Sequence, residues 1–152
     1  MTRPSLVPEP GRLSASKDVA GPGSDLAALA DDAAESFHAA VAEAVKLSGA
    51  MVAEDDADPI DQEILGDAVR SLLPLISSPG LPTPLVLPLQ NGGIGAEWHE
   101  RSMNIELRFR RLLDVYAVIE DARGLVPAYH GRDPTLQHTA SALQEFARRS
   151  DS

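Results

Sequence analysis

The chain has no cysteine, which excludes a disulfide framework, a thiolate metal site and a cysteine nucleophile together. Aromatic residues make up only 4% of it, so the core must rest on Leu, Ile, Val and Ala. No run approaches the ~18 to 20 apolar residues of a membrane-spanning helix. Residues 1–24 lack the apolar stretch of a secretory signal, so a soluble, cytoplasmic protein with no membrane partner is expected. Catalytic signatures are missing as well. There is no HExxH, no GxSxG, no Walker loop with its Lys-Ser/Thr pair, and no strand–GxGxxG–helix order. The expectation is a protein that is not an enzyme and carries no cofactor and no metal.

Basic residues are scarce: 13 against 23 acidic ones, for a net charge of −10. The imbalance is local. Residues 25–83 hold two basic and twelve acidic residues, whereas 84–132 hold six of each. That field repels a phosphate backbone, so no nucleic-acid partner is expected despite the basic cluster RFRR at 108–111. It attracts a basic protein, because opposite fields steer association.

A chain of 152 residues, 43% of them hydrophobic, fits one domain with flexible ends. Residues 1–24 are rich in Pro and Gly with little apolar pattern and read as a disordered tail. From Ser24 the apolar residues Leu26, Leu29, Ala33, Phe37, Val41, Ala44 and Val45, then Ser48, recur at helical spacing, with Ser24 or Asp25 as a start and Gly49 as an end. EDDAD (54–58) is an acidic linker. Asp58-Pro59 then opens a second helix, with Ile60, Ile64, Ala68, Leu72 and Ile76 on its apolar face, until Pro74 kinks or ends it.

Beyond residue 84 the apolar period switches to two. LVLPL (85–89) is a short strand restricted by Pro88. Ile94, Ala96 and Trp98 alternate with polar positions, as do Met103, Ile105, Leu107 and Phe109, then Val115, Ala117 and Ile119. The fold class is α+β: two amphipathic helices covering one face of an antiparallel meander of three to four strands. The expected organisation is an α+β domain over 25–121, a loop over 122–132, and a C-terminal helix over 133–149. That helix starts at Asp133-Pro134, carries a narrow stripe of Leu136, Leu143 and Phe146, and frays in RRSDS.

The stretch NGGIG (91–95) invites a phosphate-loop reading, but strict alternation rather than a helix follows it. Asn91-Gly92 fits a tight hairpin turn with both central residues at positive φ. With a second turn at Arg101-Ser102, Trp98 pairs with Ile105 and Ala96 with Leu107 on the buried face. Glu97 then faces Glu106, and His99 faces Asn104, on the polar face. Facing carboxylates can share a proton or bind a cation, so Glu97, His99 and Glu106 form an alternative metal or acid–base group. Arg108 and Arg110 can equally neutralise the two glutamates as ordinary cross-strand pairs. His38, His130 and His138 have no partner at a ligand spacing.

Two function classes follow. The first is a protein-binding module steered by Asp31, Asp32, Glu35, Asp55, Asp56 and Asp61, with the stripe Leu136, Leu143 and Phe146 docking on a partner or on its own domain. The second is a small metal-dependent enzyme using Glu97, His99 and Glu106.

The segment 58–121 resembles a group of small uncharacterised bacterial proteins in which a Pro-rich link is followed by a GG–EW(H) hairpin. The matching residues are Pro59-Ile60, Pro82, Pro84, Pro88, Gly92-Gly93, Glu97-Trp98-His99 and Asn104-Ile105-Glu106-Leu107. Such proteins often begin the unit with a GWDGYGA-like segment, where this chain has EDDADPID. Some look like companions of toxin-type genes, a hint about gene neighbourhood rather than mechanism. The antitoxin-, immunity- or adaptor-like reading of the binding module rests on its acidic helical segment, its N-terminal tail and its narrow-striped terminal helix.

Overall fold

The computed structural model describes residues 22–55 and 57–149. Its elements run α1 (Pro22–Ala53), α2 (Gln62–Ile76), β1 (Leu85–Pro88), β2 (Ile94–Glu100), β3 (Met103–Arg111), β4 (Asp114–Asp121), β5 (Tyr129–Arg132) and α3 (Gln137–Arg148). The strands form one antiparallel meander in the order β1-β2-β3-β4-β5. The class is α+β, with five strands rather than three to four. The extra strand, β5, falls inside the segment expected to be loop. Of the expected tail, residues 1–21 lie outside the described residues, and α1 already begins at Pro22.

The helical starts and stops differ from their sequence signals. α1 runs through Gly49 to Ala53, and Asp55, at φ 60°, takes the left-handed position after the last turn that a glycine would normally fill. α2 begins after Asp61, whose carboxylate accepts from the Glu63 and Ile64 amides at 2.8 and 3.2 Å. Asp58 is therefore not the cap. Its amide donates to the Gln90 carbonyl, and the Asp61 amide to the Gly92 carbonyl, both at 2.9 Å. The Asp58–Asp61 stretch thus lies along the β1–β2 loop, where those backbone bonds outweigh one more turn of helix. Pro74 sits inside the last turn of α2 without ending it.

The sheet register is the one the alternation predicts: Ala96 opposite Leu107, Glu97 opposite Glu106, Trp98 opposite Ile105, His99 opposite Asn104. Arg101 and Ser102 form the β2–β3 turn at φ 57° and 63°, the two positive values that match a hairpin's twist. The Asn91-Gly92 turn is different. Gly92, at φ 89°, donates to the Leu89 carbonyl at 3.2 Å, and only this residue of the pair is left-handed. The loop is a three-residue bulged type rather than the two-residue primed turn expected, since Leu89 and Gly93 still close the ladder at 2.9 Å.

The inward face of the sheet carries Ile94, Ala96, Trp98, Met103, Ile105, Leu107, Phe109, Val115, Ala117 and Ile119. It packs against Phe37 and Ala44 of α1, Ile64, Ala68, Leu72 and Ile76 of α2, and Ala142, Leu143 and Phe146 of α3 in one core. All three helices therefore cover the same face. Trp98 is a core anchor, 3% exposed, with its indole N–H donated to the Pro82 carbonyl at 2.9 Å.

Candidate functional site

Two surfaces compete for the functional role: the acidic face of α1 and the uncovered polar face of the sheet. On α1, burial of Phe37, Ala44 and Ser48 fixes which side faces the core. Asp31, Asp32, Glu35 and Glu43 are left exposed. None of these four takes part in an ion pair among the described residues. Asp55 is exposed in the turn that follows, and Asp56 lies outside the described residues. Asp61 is exposed but committed, because its carboxylate caps α2.

The apolar half of the expected partner site is absent from the surface. Leu136, Leu143 and Phe146 are 7%, 3% and 0% exposed within the chain's own core. The narrow stripe of α3 docks at home, because β3 and β4 present an apolar surface wide enough to receive it. Residue Arg149 is buried rather than frayed. Its guanidinium bonds both carboxylate oxygens of Asp121 at 3.0 and 2.8 Å, Glu145 at 2.8 Å and the Arg101 carbonyl at 2.9 Å.

On the polar face of the sheet, Glu97 and Glu106 are opposite one another, and each carboxylate has partners of its own. His99 Nε2 lies 2.6 Å from Glu97 Oε1. Glu106 accepts from Arg108 at 3.1 Å and from Asn104 at 3.0 Å. Asn104 also donates to Glu120 at 3.3 Å, and Glu120 is 3.2 Å from His130. The hydrogen bond to Glu97 raises the His99 pKa above its ordinary value against the desolvation that would lower it, with smaller help from the Glu97 charge, Asn104 and Glu106. Among the described residues no three His, Asp or Glu side chains converge as a metal ion requires. Glu97, His99 and Glu106 thus form a surface ion-pair lattice, with a recess of about 560 Å³ beside His99, Glu100, Asn104 and Glu120.

Two carboxylates outside the expected sites, Asp121 and Asp133, carry several hydrogen bonds each among the described residues. Asp121 accepts from the Arg123, Leu125 and Val126 amides at 3.0, 2.9 and 3.0 Å besides Arg149. Those bonds, Arg149 first, hold its pKa well below the usual carboxylate range against the desolvation that would raise it. Asp133, 1% exposed, accepts from the Thr139 amide and hydroxyl at 2.8 and 2.7 Å. In the sequence Asp133 stands out only as the Asp of an Asp-Pro helix start, and Asp121 only as an Asp ahead of a turn.

Comparison of the chain with protein-family models, with curated proteins and with solved structures found no match. Among the described residues, no helix is long and apolar enough to cross a membrane.

Proposed function

We propose that the chain is a non-enzymatic protein-binding module, antitoxin-, immunity- or adaptor-like, that engages a basic protein through the acidic face of α1. The supporting observation is the exposure of Asp31, Asp32 and Glu35 on one helix with no counter-charge among the described residues. Asp31 and Glu35 are four residues apart, a like-charge spacing that costs an isolated helix about 0.2–0.5 kcal/mol. A basic partner relieves that repulsion, and the acid-rich helical half beside a neutral sheet half gives the molecule a field that orients the encounter.

The test is capture of a partner by the tagged full chain at low and high ionic strength. One stoichiometric basic protein should be retained and then released by salt. The triple variant Asp31→Lys, Asp32→Lys, Glu35→Lys should weaken the complex about ten- to hundredfold, while His99→Ala leaves it unchanged. Retention that ignores both salt and charge reversal would sink the reading. Metal uptake abolished by Glu106→Ala would carry the metal-dependent alternative instead.

A further inference from the structure

The helices leave the outward face of the sheet uncovered, and its side chains stand in ordered rows. Gly95, Arg108, Tyr116 and Arg132 are side by side across β2 to β5. The next row is Glu97, Glu106, Val118 and His130, and beyond it come His99, Asn104 and Glu120. Arg110 extends the first end, its guanidinium 5.0 Å from the centre of the Tyr116 ring. The arginines therefore gather at one end of the strands, where Arg132 is paired with Asp114 at 3.4 Å and Arg108 and Arg110 leave that end positive. Glu97, Glu106 and Glu120 gather at the other. Tyr116 and Val118, both half-buried, sit between them on β4.

We infer that this face is a symmetric interface between two copies of the chain. A face with its positive and negative ends separated along the strands complements itself when a second copy is turned over about an axis running across the strands. With that axis between the Arg108 and Glu106 rows, Glu106 meets Arg108 of the second copy, and Arg108 meets its Glu106. Val118 lies against Tyr116 of the second copy, which gives the contact an apolar centre. Arg110 of the second copy comes over Asn104 and the recess beside Glu120 and His99, where it offsets the approach of that copy's Asp114 to Glu120. Arg132 of the second copy, paired with Asp114, comes beside His130. The Glu106–Arg108 pair within one strand, at 3.1 Å, does not compete with this, because a guanidinium has five donors and a carboxylate about four acceptor sites. Stacking the copies with strand ends aligned instead puts arginine on arginine and glutamate on glutamate, which repels. Charge therefore selects one orientation.

The face is large enough for this but not for a permanent dimer. Strands of four, seven, nine, eight and four residues, about 4.8 Å apart at about 3.4 Å per residue, give roughly 520 Å² per copy, or about 1,050 Å² together. Stable interfaces start near 1,200 Å², so the dimer is weak, concentration-dependent and salt-sensitive. It leaves the acidic face of α1 free, since that helix lies on the opposite side of the sheet.

Sedimentation of the full chain over a wide concentration range tests this. The wild type should move from monomer to dimer, and salt should shift the transition to higher concentration. Arg108→Glu and Glu106→Arg should each weaken self-association at least about tenfold. An equimolar mixture of the two variants should regain it as a mixed dimer in native mass spectrometry, because each variant then presents the sign that the other lacks. A wild type monomeric throughout, a dimer indifferent to both reversals, or a mixture that stays monomeric would each overturn the inference. Dilution of the wild type, read by amide chemical shifts, gives a check without substitutions. The shifts should concentrate at residues 104–108 and 116–118, and movement confined to α1 would also overturn it.

Discussion

Gly92 and Gly93 have different reasons for being glycine. Gly92 has φ 89°, and a Cβ there would lie 2.9 Å from the Pro59 carbonyl oxygen. Gly93 needs no unusual backbone angle. It is closely approached: an added Cβ would sit 2.4 Å from the Phe109 carbonyl oxygen and 3.1 Å from Arg110 Cα. Those are backbone atoms of β3, so the clash cannot be relieved by a rotamer change. Gly93→Ala should therefore push β2 away from β3 at the loop and destabilise the fold by about 1–3 kcal/mol. Gly49→Ala, with nothing within 4 Å of its added Cβ, should instead stabilise α1, by up to about 1 kcal/mol. Denaturant midpoints of the two variants check both signs. Equal effects would mean that the close approach at Gly93 is not what that position serves.

Among the elements, the pairs Asp58-Pro59 and Asp133-Pro134 both look like helix starts, and both helices begin later. α2 starts at Gln62, and α3 at Gln137. A cap signal is a local preference worth about 1 kcal/mol, and it yields wherever neighbouring backbone offers more. Asp58 is held by the hairpin loop. Asp133 bonds Val115 of β4 through its amide at 2.9 Å while its side chain reaches forward to α3. The nominal N-cap, Leu136, is left-handed and offers no side-chain bond, so Asp133 does the capping from three residues upstream. Asp133→Ala should strip acceptors from two buried donors of Thr139 and cost about 2 kcal/mol or more, with α3 losing amide-exchange protection first. Asp133→Asn, which keeps an acceptor, should cost less. If Ala and Asn cost the same, the cap is not the source of the effect. The strands were legible because alternation fixes which face is buried, and one face decides register. β5 was not, since Tyr129–Arg132 is a four-residue edge strand with a glycine and no apolar alternation. The acidic face was legible as composition. Which of its carboxylates are free, and whether the Leu136–Leu143–Phe146 stripe docks inward, depends on surfaces brought together only by folding.

For the whole molecule, the decisive contact closes the chain on itself. Arg149 follows the last turn of α3, Asp121 ends β4, and both side chains are buried, at 3% and 0% exposure. Asp121 also gathers the amides of the 123–126 loop, so one carboxylate ties the C-terminal helix, the central sheet and the β4–β5 connection together. Arg101 adds a clamp from the β2–β3 turn, donating to the Gly80 and Phe146 carbonyls at 3.1 and 2.7 Å. Removing one member of a buried pair leaves the other uncompensated, so Arg149→Met should cost about 3 kcal/mol near neutral pH. The pH dependence separates this from lost packing. Asp121's folded pKa lies below its unfolded value, which is about 3.9, so its contribution is full above that value and is lost as pH falls through it toward the folded pKa. In Arg149→Met the main cause of that depression is gone, and the variant has less left to lose in acid. The stability gap between wild type and variant should therefore be widest above about pH 5 and should narrow steadily below about pH 4. Urea midpoints across that range would show it. A gap that stays constant with pH would assign the loss to packing of the arginine stem, and the buried pair would then not be what holds the C-terminal helix to the sheet.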